Sequence, residues 1–197
     1  MESKKRKLAF ILLMFLMLFV LPIGANAASK EKENVVKSIN TFFRYTRKLD
    51  TKKMEKCFED HNLRIFADPE AFYKILRPYH RKTQWKIRKV QINGKKAVVS
   101  MRVDFESLEE SYFNYLTASL ERALNGKKIK DPEKFLIQKM RSETAKNGSY
   151  PVYCNLKIRL KKAGGKWKLA MPSEKLINII YCDMIYALDE FIEYVGE

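Results

Sequence analysis

Cys57 and His61 stand four residues apart, a spacing that places both side chains on one face of a helix, within reach of a single metal ion. A zinc site needs further ligands, and the chain has only two histidines and three cysteines with no second close pair among them. The pair therefore reads as a helix-end histidine beside a core cysteine, and no metal or other cofactor is expected. No nucleophile-elbow glycine pattern surrounds a serine, Cys154 has no arguable histidine partner, and no glycine-rich loop could cradle a phosphate. Acid–base catalysis needs a titratable group aimed into a pocket. Strand alternation points Trp85, Ile87, Ala97, Val99, Met101, Val103, Phe105, Val152, Cys154, Leu156, Ile158, Leu160, Trp167, Leu169 and Met171 inward, and none is a carboxylate or histidine. Tyr45, His61 and Tyr112 on helices are the remaining candidates. The inventory assigns no catalytic residue, so a binding module is expected ahead of a small-molecule isomerase or hydrolase.

Two residue sets could bind rather than react. Phe42, Phe43, Phe58, Trp85, Met101 and Trp167 could line a pocket for a small apolar ligand or a peptide, against the alternative of a filled core. Arg102, Lys157, Arg159, Lys166 and Lys168 occupy outward strand positions, forming a cationic face that would attract wall polymers, lipid headgroups or nucleic acid. The alternative there is ordinary solubilising charge. Only Tyr153 supplies an aromatic ring on that face, so nucleic acid is not expected. The net charge of +16 is unevenly spread: residues 61–103 carry +9 and 127–168 carry +10, whereas 104–126 carry −4 and 169–197 carry −5.

The elements that must position these residues follow from periodicity. Val35, Val36, Ile39, Phe42, Phe43, Thr46 and Leu49 recur at helical spacing over 34–49. Asp50-Thr51 caps a shorter helix carrying Met54, Cys57 and Phe58, and Asp68-Pro69-Glu70 opens a third with Phe72, Ile75 and Leu76. The period then falls to two. Trp85 and Ile87 alternate, the phase slips near Arg88-Lys89 as a bulge would make it slip, and Asn93-Gly94 turns into a strand through Phe105. Two helices follow, from Leu108 to Asn125 and from Asp131-Pro132 to Asn147-Gly148. A second hairpin runs from Val152 to Met171 around Gly164-Gly165, and Pro172-Ser173 caps a final helix over about 173–195.

The first 27 residues are expected to stand outside this fold. Lys4, Lys5, Arg6 and Lys7 precede an uncharged run from Leu8 to Leu21, and Ala25-Asn26-Ala27 supplies the small residues of a cleavage site between Ala27 and Ala28. The apolar run is short for a membrane span, and no later run reaches that length. A secreted or extracytoplasmic chain, in places wall-associated, is the expectation, with residues 28–197 as one domain and no membrane span in the mature form. In an oxidising compartment Cys57 and Cys154, both on apolar stripes, could pair as a disulfide, with two buried free thiols as the alternative. Cys182 falls with Asn178, Asp189 and Glu193 on the polar side of the last helix.

Phe42 and Phe43 in the first helix, the Asp-initiated segment from Asp50 to Phe58, and the return strand Gly165-Lys166-Trp167-Lys168-Leu169 together resemble the nuclear transport factor 2-like superfamily. The resemblance implies an α+β fold of the cystatin-like roll type, in which a curved antiparallel sheet wraps N-terminal helices around a cone-shaped pocket. Two hairpins give at least four strands. The chain departs from that pattern in its two-helix insertion over about 107–148 and its C-terminal helix, features that resemble uncharacterised secreted or lipoprotein members from Gram-positive bacteria. The superfamily includes isomerases, dehydratases and non-catalytic binding modules, so fold alone does not choose among them. The combined expectation is a non-catalytic binding or accessory domain at the cell envelope, its partner a small apolar ligand or peptide, or an anionic envelope polymer held on the basic sheet face.

Overall fold

A computed structural model describes residues 28–60, 63, 66 and 70–196. His61 and the proposed cleavage site's Ala27, with everything before it, lie outside the described residues. The first helix, α1 (28–48), buries Val35, Ile39, Phe42, Phe43 and Thr46 along one stripe. It ends where Leu49 adopts φ +50 and the Asp50 amide reaches back to the Tyr45 carbonyl at 3.1 Å. Asp50 then caps α2 (Thr51–Glu55), accepting a hydrogen bond from the Lys53 amide. After α2, Phe58 bridges to Leu169 of the sheet, and α3 (Glu70–His80) follows.

β1 (Gln84–Asn93) and β2 (Lys96–Ser107) form the first antiparallel hairpin, with the expected register shift between Ile87 and Lys89. The pairing of Asn93 with Lys96 puts Gly94 and Lys95 at the turn, one residue later than the Asn93-Gly94 reading, and Gly94 takes the left-handed conformation at φ +56. α4 (Glu109–Leu124) and α5 (Pro132–Asn147) separate this hairpin from β3 (Tyr150–Ala163) and β4 (Lys166–Leu169). The sheet order is β1-β2-β3-β4, antiparallel throughout, and the sheet is curved and unclosed. Rows such as Ile87–Met101–Leu156 and Ala97–Leu160–Leu169 line its inner face, as alternation predicts. Against that face packs α1, with Phe43 stacked on Trp85 at 5.2 Å and the Ser38 hydroxyl donating to the Trp167 carbonyl. A second group of helices continues the core, with α3 on β2 and α5, and α4 on α5.

The C-terminal region departs from expectation. Instead of one helix there are two, α6 (Glu174–Ile180), capped by the Ser173 hydroxyl, and α7 (Met184–Gly196), which packs on α4. Between them Cys182 and Asp183 take φ of +51 and +62, and the Cys182 carbonyl accepts the Leu108 amide at 2.8 Å. That bond ties the break to the start of α4. The kink turns Cys182 inward, so it is buried rather than on a polar helix face. Met171, read as the last inward residue of the hairpin, lies beyond β4 and is 77% exposed.

Cys57 and Cys154 are free thiols. The Leu169 amide donates to the Cys57 carbonyl, and Leu169 pairs with Leu160 on β3. Cys154 lies further along β3, about 20 Å from Leu160 at about 3.3 Å per residue. A disulfide needs Cα atoms within roughly 7 Å, so of the two alternatives for Cys57 and Cys154 the fold has free thiols, and both are half-buried rather than fully buried.

Candidate functional site

The aromatic set read as a pocket lining is mostly core. Phe42, Phe43, Phe58 and Met101 have almost no exposed surface, and Phe42 meets both phenylalanines edge-on at 5.3 and 5.4 Å. Trp85 is half-buried, its indole donating to the Asn40 side chain. Of the six, Trp167, itself almost fully buried, lines a cleft among the described residues.

That cleft is a groove of about 460 Å³ between the solvent side of α1, the end of α2, and β4. Asn34, Ser38, Thr41 and Tyr45 recur at helical spacing along its α1 wall. The half-buried Tyr45 and Cys57, together with the buried Trp167 and Leu169, give it an apolar floor. Around this floor stand Lys37, Lys53, Lys56, Lys166 and Lys168, and no carboxylate lines the groove among the described residues. β4 holds its place there because Leu169 bonds through both backbone groups to Cys57 and Glu59, while Ser38 takes the Trp167 carbonyl.

The five ammonium groups are not equivalent. Lys53 is tied to Asp50 at 2.8 Å, a contact that holds the Asp50 carboxyl below its ordinary range. Lys168 donates to the Lys56 carbonyl. Lys37, Lys56 and Lys166 have no ion-pair partner among the described residues and are the charges free to meet a ligand. At the groove's margin Glu31 accepts hydrogen bonds from Lys162 at 2.7 Å and from the Trp167 indole at 2.9 Å. The Lys162 bond, then the indole, hold its carboxyl below the usual range, so it is spent on positioning Trp167. Cys57 donates its thiol to the Lys53 carbonyl, and burial pushes its pKa up against the opposing Lys168 charge. It is a thiol, not a nucleophilic thiolate.

The predicted anionic-partner surface divides in this structure. Lys166 and Lys168 belong to the groove, while Lys157 and Arg159 stand exposed on the open outer face of β3. Arg102 is neutralised by Asp104 at 2.6 Å and lies over the Tyr153 ring at 4.1 Å. Lys37 lies on the polar side of α1, where the repeat Asn34, Ser38, Thr41, Tyr45 is the signal in the sequence. Lys53 on α2 and Lys56 just after it join the groove only through the tertiary fold, so no local pattern marks them.

A buried histidine was also missed. His80 on α3 is fully buried, its Nε2 2.7 Å from the Ile180 carbonyl and 3.7 Å from the Cys182 sulfur. A carbonyl only accepts, so Nε2 carries the proton and the neutral ring leaves Nδ1 without a partner. Burial lowers the His80 pKa to about 4 and raises that of Cys182. Both members are thus neutral, and neither lines the groove. Among the described residues no three acidic, cysteine or histidine side chains are grouped to hold a metal, and no helix is long and apolar enough to cross a membrane. Comparison with known proteins finds no matching family model, curated relative or solved structure.

Proposed function

We propose that residues 28–197 form an extracytoplasmic, non-catalytic binding module of nuclear transport factor 2-like fold, and that its ligand lies in the lysine groove against β4. The observation that carries this reading is the composition of the groove: five lysines, an apolar floor and no lining carboxylate among the described residues. Clustered like charges raise one another's energy, and an anionic partner removes that cost. The half-buried Tyr45 and Cys57 add apolar surface for the body of the ligand. The partner class is therefore an anionic molecule with an apolar or ring-bearing portion, such as a segment of an anionic cell-wall polymer. The filled core argues against a small apolar ligand held inside the roll. Export rests on the amino-terminal pattern of basic residues, apolar run and Ala-Asn-Ala exit.

Equilibrium binding of a purified anionic wall polymer to the mature chain tests this. Lys56→Gln with Lys166→Gln should weaken binding by about tenfold or more and flatten its salt dependence. Binding that persists unchanged in the double variant sinks the proposal. The second reading, attachment through the open sheet face, is favoured by the exposure of Lys157 and Arg159. It requires the opposite outcome, with Lys157→Gln and Arg159→Gln carrying the loss.

A further inference from the structure

A second cleft, of about 310 Å³, opens between α1 and the end of α3, and among the described residues those lining it are all basic: Arg44, Arg47, Lys48, Arg77 and Arg81. Helical geometry explains the gathering. Arg44, Arg47 and Lys48 follow the i, i+3, i+4 spacing that puts side chains on one face, and Arg77 and Arg81 are four apart at the end of α3. The cleft is organised, too. The Arg47 guanidinium donates to the Arg81 carbonyl at 3.2 Å, joining the two walls, and that of Arg44 donates to the Thr41 hydroxyl at 3.2 Å. No carboxylate lines it among the described residues. Several lysines elsewhere are paired with acids, as in Lys139–Glu143, Lys161–Glu59 and Lys162–Glu31.

We propose that this cleft is a binding site for a chain of phosphates, separate from the lysine groove. Four of its five cations are arginines, whose planar forks match phosphate oxygens in pairs, whereas the groove is built from lysine point charges. The charge count sets the size of the ligand. A phosphate monoester carries about −1.5 to −2 at neutral pH and a group linked within a chain carries less, so several consecutive groups are needed to offset the four cations Arg44, Arg47, Lys48 and Arg81, Arg77 having a partner of its own. A single orthophosphate leaves much of that charge uncompensated.

The test is calorimetric titration of the mature chain with inorganic tripolyphosphate, orthophosphate and phosphatidylglycerol vesicles. Arg44→Gln with Arg81→Gln removes two guanidinium groups and leaves the Arg47 bond to the backbone carbonyl intact. A thermal melt of each variant confirms that the fold is retained. The expected result is saturable tripolyphosphate binding, weakened by about tenfold or more in this variant, with orthophosphate much weaker. Arg44→Lys with Arg81→Lys keeps the charge and should still lose affinity. Lys56→Gln with Lys166→Gln, and Lys157→Gln with Arg159→Gln, should leave tripolyphosphate binding within about twofold of the parent. Equal losses in all double-Gln variants, full retention by the lysine replacements, or saturable binding to vesicles alone would overturn the assignment. Because the groove variants serve as controls, the site stands or falls independently of the lysine groove.

Discussion

His80 and Asp183 flank the kink between α6 and α7 from opposite directions in pH. Burial holds the folded-state pKa of His80 at about 4, below the ordinary 6.5, so its contribution to stability is complete above 6.5 and is lost as pH falls toward 4. The gap corresponds to roughly 3 kcal/mol at full titration. Asp183 behaves oppositely. Burial raises its pKa to about 6, the Ser107 hydroxyl working against the shift and Glu109 adding to it. Its contribution is complete below the ordinary 3.8 and is lost as pH rises through about 6. His80→Asn, whose amide can still donate toward the Ile180 carbonyl, should flatten the acid limb of a thermal-melt profile between pH 6.5 and 4. Asp183→Asn suits the left-handed φ of +62 and should raise the melting temperature at pH 7.5, with the gain shrinking toward pH 4. An acid limb unchanged in the histidine variant would contradict the buried, singly donating ring. The sequence offered no sign of either group, because burial of a histidine at a helix end depends on what packs over it.

The elements divide by whether their ends are written locally. Asp131 accepts the Lys134 amide, Pro132 begins α5 and Gly148 ends it at φ +77, so α5 could be bounded from residue types alone. The β1 bulge was equally legible because Ile87 and Val90 break the alternation. The α6–α7 kink was not. Leu176, Ile180, Met184 and Ala187 keep a continuous helical stripe, no glycine or proline interrupts it, and the break is imposed by the Leu108 amide bonding Cys182 from another element. The groove was half legible for a similar reason: β4 supplied Lys166 and Lys168, but their apposition to α1 depends on long-range contacts. Phe58 is central to that apposition, bridging to Leu169 and packing on Phe42 and Phe66. Phe58→Ala should cost about 3–5 kcal/mol in denaturant unfolding. A cost near zero would mean that α2 and β4 do not share the core described here.

Across the whole molecule the charge is polar rather than uniform. The segments that build α4, and α6 with α7, are net acidic, whereas the hairpin-containing segments are net basic. What the fold adds is location. Basic residues gather in two clefts beside α1, while Arg102, Lys161 and Lys162 on the sheet are offset by nearby carboxylates. Attraction for a polyanion is thus concentrated on the α1 side, where apolar surface accompanies it in the groove. Backbone amide chemical-shift mapping of residues 28–197 during titration with an anionic wall polymer tests that claim most directly. The expected shifts fall on Asn34 to Tyr45, Lys53 to Cys57 and Gly165 to Leu169. Shifts centred instead on Lys157 and Arg159, or none at saturating polymer, would contradict the groove as the binding site.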